Sequence, residues 1–445
     1  MLASLAPKVL HSFSFASISL FLFAIAGGIG CALPRVNGIL SKGYKKFNRI
    51  DLLTAVDKEI TLRLQQTLHN AVLKTLLHEE PPKQTLRPDI DVKIAKQPRY
   101  ELPSDANIIT VFDQAEGKML ILGAPGSGKT TLLLDLANAL CQRAFNDDSA
   151  AIPVLFDLMG WKEEQTLANW LTLELNTKYN IPSNEADFLL KSGKLLLLLD
   201  GLNELKNRQE QCILAINQFV ANCSYPIHLA ISTRFNEYKA CKGRLRLKAA
   251  ILLRPLNETK IREYLINARS RELWHNIETE PNLLELAKTP LLLSMMTLAY
   301  EEILIHSWKR LTEKEELRQY LFNAYIRRQL SKPINARKQP TPDKVRLWVI
   351  WLAKQLEINH QPQFSLDNIP ASWLSPATQN KINLITFPAL KKLFLRIILW
   401  QNGYIPWNYG KLLNYLSQQS LIQRVGRHYR FQHKLLQEHL AQMSK

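Results

Sequence analysis

The sequence predicts an α/β fold in which a parallel sheet is flanked by helices, and three observations carry that prediction. Short, almost uninterrupted apolar runs recur at 119–122, 152–158, 194–200, 227–232 and 249–255, as strands buried on both faces do. Between them, 132–140, 169–179 and 184–191 have helical spacing, and alternation of the two patterns is the mark of a parallel sheet. A glycine-rich loop joins the first run to the first helix.

That loop reads Gly123-Ala124-Pro125-Gly126-Ser127-Gly128-Lys129-Thr130-Thr131 and fits G-x-x-x-x-G-K-[ST] without a mismatch. Its glycines let the backbone curl so that successive N–H groups face phosphate oxygens, and the following helix adds its positive N-terminal end. Lys129 supplies a mobile cation for the β- and γ-phosphates. Thr130 offers a hydroxyl to Mg²⁺. A plain glycine-rich turn is the alternative; the strand before and helix after favour the phosphate loop.

The third run delivers Asp200 to the carboxyl edge of the predicted sheet, where ligands of such sheets bind. About 70 residues beyond Lys129, it is the second expected Mg²⁺ ligand, beside Thr130. A buried strand capped by a turn aspartate is the rival reading.

Asp200-Gly201-Leu202-Asn203-Glu204 after an apolar run resembles the NACHT family of signal-transduction ATPases, of bacterial, cyanobacterial type, related to NLR and AAA+ proteins. Ser232-Thr233-Arg234 is similar to the strand end that carries the family's sensor arginine. Leu286-Ala287-Lys288-Thr289-Pro290-Leu291 resembles the helical-domain motif whose proline contacts adenine. The chain ends Tyr429-Arg430-Phe431-Gln432-His433 and then a helix at 434–443, similar to the family's winged-helix segment with its nucleotide-contacting histidine. The resemblance covers residues 118–443. It implies catalytic roles for Lys129, Asp200, Glu204 and Arg234, and nucleotide contacts from residues 123–131, Pro290 and His433. It implies ATP/ADP and Mg²⁺ as cofactors. One departure matters: the family has an acid where Asn203 stands, and an amide cannot act as a general base. Glu204 is then left to position the attacking water, so binding and slow hydrolysis are expected.

At 445 residues and 46% hydrophobic content, the chain has length for two to three domains with their own cores. The net charge of +18 favours anionic partners without choosing among nucleotide, lipid and nucleic acid. Five cysteines without a C-x-x-C pair suit buried thiols in a reducing compartment. Residues 13–34 carry no charge and are just long enough to span a bilayer, with basic residues following at 35–49. A single membrane-spanning helix is expected, with the NTPase in the cytoplasm; a cleaved signal peptide and a buried helix remain alternatives.

The predicted order is an anchor with a basic flank (1–50), a helix and proline-rich linker (51–105), and the NTPase core (106–256). A helical domain (257–331), a hinge (332–342) and a winged-helix-like domain (343–445) follow. The apolar stripe at 51–77 either packs on the protein's own core or zips with a partner chain. The basic apolar stretch at 390–400 is either a core helix with snorkelling cations or a membrane-surface helix. His433 either faces a phosphate or caps its own helix. Together these predict a membrane-anchored, ATP/ADP-dependent switch in signalling or defence that self-associates. A continuously cycling AAA-like ATPase and a basic winged-helix regulator binding nucleic acid are the rivals. Nucleic acid is not the expected partner, because nucleotide contact and packing use up the residues of the terminal helix.

Overall fold

The computed structural model describes residues 48–443 apart from 69, 73–86, 96, 104–105, 224, 304–307, 309, 312, 332–340, 360, 362, 366–368, 375–377, 380–381, 383–387 and 426–427. The predicted membrane anchor (1–50), but for its last residues, and most of the hinge lie outside the described residues. Among the described residues no helix is long and apolar enough to cross a membrane.

A seven-stranded sheet forms the centre, in the order β2-β1-β7-β3-β6-β5-β4. Its strands are β1 (Ile90–Ile94), β2 (Tyr100–Glu101), β3 (Lys118–Gly123), β4 (Ile152–Asp157), β5 (Leu195–Asp200), β6 (His228–Arg234) and β7 (Ala249–Leu253). The pairs β3·β6, β3·β7, β4·β5 and β5·β6 are parallel, and they are the five apolar runs of the sequence. Each leucine of β5 is at most 3% exposed, so truncating one to alanine costs about 2–5 kcal/mol.

The sheet corrects one expectation. The polar, proline-punctuated stretch read as an extended linker contains β1 and β2, and β1 pairs antiparallel with β7. Val92, fully buried, and the buried Ile90 and Ile94 alternate with Asp91 and Lys93, and β2 closes the sheet as its edge strand beyond β1. The prolines fall outside both strands, where they cost no ladder hydrogen bond.

The helix predicted at 51–77 runs Arg49–Gln65 and breaks at 66–67. It buries Leu52, Leu53, Val56 and Ile60, and its first turn is tied down by Arg49, whose Nη2 donates to the carbonyls of Ala144 (2.9 Å) and Asp147 (3.1 Å). The stripe thus packs within the chain. Within the helical domain, the stretch 281–302 is broken into three pieces, Pro281–Ala287, Pro290–Ala299 and the 3-10 turn Tyr300–Glu302. Pro290 drives Thr289 to extended backbone, as a residue before proline must be.

One contiguous apolar core, made of residues from Leu256 to Leu440 with Leu68 and Val72 packed into it, joins the helices Glu258–Asn267, Pro290–Ala299, Lys314–Ser331, Pro342–Ile358, Tyr409–Gln418 and Lys434–Gln442. An antiparallel sheet of β8 (Phe364–Ser365), β9 (Ile422–Val425) and β10 (His428–Phe431), ordered β8-β10-β9, lies among them. Trp351 stacks on Tyr404 with ring centroids 5.2 Å apart, an aromatic at helical spacing used as core. The helix Pro388–Gln401 buries Leu395 and Leu399 and leaves Leu390, Leu393 and Trp400 exposed. Cys141, Cys212, Cys223 and Cys241 are free thiols.

Candidate functional site

The carboxyl edge of the parallel strands opens into a cavity of about 230 Å³. β3 ends at Gly123, and the loop that follows turns directly into the helix Lys129–Asn146. Gly128, the residue before that helix, has φ 94°, and a Cβ there would meet nothing within 4 Å. The backbone is one only glycine adopts cheaply, beside open space. Gly126 (φ 76°) is crowded instead, since a Cβ would lie 3.0 Å from Leu291 Cβ and Thr289 Cγ2. The Leu291 N–H donates to the Gly126 carbonyl at 3.2 Å, so the loop is braced by the start of the helix that Pro290 opens.

Lys129 Nζ donates to the carbonyls of Ala124 (2.7 Å) and Gly123 (3.2 Å). Burial and then Arg234 push its pKa down to about 8, a cation held at a cost that an anion would offset. Thr130 Oγ1 donates to Asp200 Oδ2 at 2.9 Å, and the Ser232 hydroxyl donates to Asp200 Oδ1. Ser127 Oγ is buried without a hydrogen-bond partner among the described residues. An open left-handed glycine, an orphaned hydroxyl and a desolvated lysine on one loop fit a phosphate chain. Among the described residues no three His, Cys, Asp or Glu side chains are grouped to hold a metal. Mg²⁺ does not need such a cage, since it takes one or two protein ligands beside phosphate oxygens; the adjoining Thr130 and Asp200 oxygens fit that role.

Glu204 follows on the 3-10 segment Leu202–Arg208. Burial, with Asp157 and Asp200 nearby, raises its pKa to about 7. Asn203 also lines the cavity, and its carbonyl accepts from Gln209 Nε2 at 3.0 Å. Arg234, level with Gly123 in the sheet register, has Nη1 3.1 Å from Glu237 Oε1. Pro290 and His433 line the same cavity, which brings together residues more than 300 positions apart in the chain.

His433 is the N-cap of Lys434–Gln442, with Leu435 N–H donating to Nδ1 at 3.1 Å. Burial and the nearby Lys129, Arg234 and Arg430 push its pKa down to about 3. The ring is neutral, and an accepting Nδ1 leaves the proton on Nε2. Capping and facing the cavity are therefore compatible, since each uses a different nitrogen.

Four cavity residues are not apparent from the sequence. Asp157 ends β4 directly beside Asp200 of β5; it closes the second apolar run just as Asp200 closes the third, and that is the available signal. Arg63 sits three residues after Ile60 on the buried stripe of the first helix, a cation at a core position. Arg430 and Lys434 flank His433 in a stretch whose basic residues give no sign of which face they take.

Residues 118–272 match the NACHT domain. No curated protein matches the chain. Among solved structures it is similar to Cdc6p from Pyrobaculum aerophilum, at 13% identity over 72% of this chain and 86% of that one, TM-score 0.26. It is similar to the Aeropyrum pernix Orc1 protein in complex with DNA, at 10% identity over 75% and 89%, TM-score 0.32. A Walker-type ATPase of Pyrococcus abyssi is a third, at 15% identity over 72% and 90%, TM-score 0.28.

Proposed function

With a NACHT nucleotide-binding domain at residues 118–272 as the premise, we propose that the chain is an ATP/ADP-dependent switch with slow hydrolysis, anchored to the membrane through residues 13–34. The observation that carries the reading is the composition of the cavity wall. The phosphate loop, the start of the Pro290 helix and the His433 segment line a single cavity, so a bound nucleotide touches all three parts at once.

In this reading the loop amides hold the inner phosphates, Lys129 reaches the β- and γ-phosphates, and the pyrrolidine of Pro290 packs against the base. His433 Nε2–H donates to the β-phosphate of ADP and keeps the C-terminal segment closed. Thr130 Oγ1 and Asp200 would hold Mg²⁺, which would neutralise phosphate charge when bound. Glu204, half-ionised near neutral pH, takes the proton of the attacking water as a general base does; Asn203 cannot. Arg234 contacts the terminal phosphate in exchange for Glu237. Replacement of ADP by ATP frees a surface for self-association, in signalling or defence.

The test is particle size in two nucleotide states. Detergent-solubilised full chain is run on a sizing column with light scattering, in Mg²⁺ with ADP or with a non-hydrolysable ATP analogue. A larger particle with the analogue is expected; equal sizes with both nucleotides bound would remove the switch. Sedimentation with membranes after alkaline carbonate washing tests the anchor, and release into the supernatant would refute it.

A further inference from the structure

Arg63 lies on the helix Arg49–Gln65, ahead of the NACHT domain in sequence, yet lines the cavity with Lys129, Thr130 and Asp200. It is 4% exposed, and its Nε has no hydrogen-bond partner among the described residues. Its ion-pair partner is a poor one. Glu59 Oε1 stands 3.6 Å from Nη1, and Glu59 Oε2 already accepts from the Tyr179 hydroxyl at 2.7 Å. A buried guanidinium with an idle donor is expensive to keep.

The same cavity carries a second guanidinium. Arg430 Nη1 is 3.7 Å from Asp157 Oδ2, while its Nε and Nη2 both donate to Gln423 Oε1 at 3.2 Å. Each ion pair is longer than a charged hydrogen bond. Burial and then the Arg430 charge push the Arg63 pKa down to about 10, against the pull of Glu59, Asp200 and Asp157. Two cations held together next to a phosphate loop, each short of a strong partner, make a place for an anion. Arg234 is engaged by Glu237 at 3.1 Å; Arg63 has no such close partner in Glu59.

We propose that Arg63 binds the terminal phosphate of a nucleoside triphosphate, so that the helix preceding the NACHT domain reads whether the third phosphate is present. The inference rests on the nucleotide-site reading above. The terminal phosphate is the one specified because Arg63 lines the cavity with Asp157 and Asp200 at the ends of β4 and β5, whereas the inner phosphates have the loop amides that follow β3. Through Arg49 and its apolar stripe the helix is packed on Lys129–Asn146, so the contact links the phosphate chain at both ends of one rigid element.

The test is Arg63→Met in the full chain, with affinities for Mg·ADP and for a Mg-bound non-hydrolysable ATP analogue measured by titration calorimetry. Loss of a charged hydrogen bond should weaken the triphosphate analogue about 10- to 100-fold and ADP by less than about threefold. Equal affinities in mutant and wild type, or equal weakening of both nucleotides, overturns the proposal. A wild type that binds both nucleotides separates that failure from failure of the site itself, which would show as no binding by the wild type. If Arg63→Met does not fold, the charge-neutral pair Glu59→Gln/Arg63→Met carries the same comparison. Failure of the pair to fold as well would make Arg63 a structural ion-pair member and overturn the proposal.

Discussion

Glu357 holds the C-terminal wall of the cavity shut, and replacing it with glutamine should loosen that wall measurably. The carboxylate lies on the helix Pro342–Ile358 and receives three donors from two directions. Lys206 Nζ donates to Oε1 at 3.1 Å, from just beyond Asn203 and Glu204; Lys434 Nζ (2.5 Å) and Gln437 Nε2 (3.4 Å) donate to Oε2. Lys206 is 56% exposed, so its pair is worth about 0–1 kcal/mol. Lys434 is 12% exposed, and a shielded charged hydrogen bond is worth about 1.5–3 kcal/mol. Glu357→Gln keeps the shape and removes the charge, so local opening of the helix Lys434–Gln442 should become about 10- to 100-fold more frequent. Burial opposes ionisation of Glu357, but Lys434 and Lys206 outweigh it and hold the pKa below the ordinary 4.5. A depressed carboxylate contributes above its unfolded pKa and loses that contribution as pH falls through the folded value. The gap between wild type and mutant should therefore be full at pH 7 and close in acid below 4.5. The assay is amide hydrogen exchange across 434–442, corrected for intrinsic rates. Identical exchange in the two proteins at pH 7 would refute the reasoning.

Lys129→Ala should abolish nucleotide binding without lowering the melting temperature of the ligand-free protein, because Nζ bonds only the loop carbonyls of Gly123 and Ala124; tight binding by the folded mutant sinks the phosphate-loop assignment. Asn203→Asp should raise the steady-state rate of ATP hydrolysis without tightening ATP, since a base acts in the transition state. Because the Glu204 pKa is raised to about 7 and the carboxylate is the working form, wild-type turnover should climb through pH 7 and flatten in Glu204→Gln; a flat wild-type profile assigns the water to another group. His433→Asn keeps an acceptor for Leu435 N–H and so the helix cap. It should speed ADP release about 10- to 100-fold at unchanged melting temperature, and an unaltered release rate would reduce His433 to a cap.

The parallel strands were legible because each is a continuous apolar run with no competing pattern, and the phosphate loop because its spacing admits few other uses. β1 and β2 were not, because five and two residues amid prolines carry too little periodicity, and β1 finds its partner in β7, about 160 residues away, with β2 pairing on β1. The break before Pro290 was readable from the proline alone, and the apolar run on either side masked it. The site divides the same way. Lys129, Thr130 and Asp200 are fixed by local motifs, whereas Arg63 and Arg430 reach the cavity only through long-range packing. Their one trace in sequence is negative: Arg63 stands where the helical stripe calls for an apolar residue.

The size of the cavity bears on which wall yields. At about 230 Å³ it is below the roughly 300–1,000 Å³ usual for small-molecule sites, so a nucleoside triphosphate that fills it presses on both walls. The N-terminal wall is the helix Arg49–Gln65, whose buried Leu52, Leu53, Val56 and Ile60 would each cost about 1.5–3 kcal/mol to expose. The C-terminal wall, from Gln423 to Gln437, is held by polar links: Arg430 with Asp157 at the end of β4, Gln432 Nε2 donating to the Gln66 carbonyl, and Lys434 with Glu357, which in turn pairs with Lys206. Its apolar residues Leu435, Leu436 and Leu440 belong to the core of the C-terminal helices, which also takes in Leu68 and Val72, and they can stay there while the polar links break. A ligand shifts such an equilibrium only by the difference in its affinity for the two states. On the reading proposed above, a third phosphate that gains Arg63 on the firm wall while crowding the weakly held one would supply that difference, whereas ADP, whose β-phosphate takes His433 on the C-terminal wall, would favour the closed arrangement.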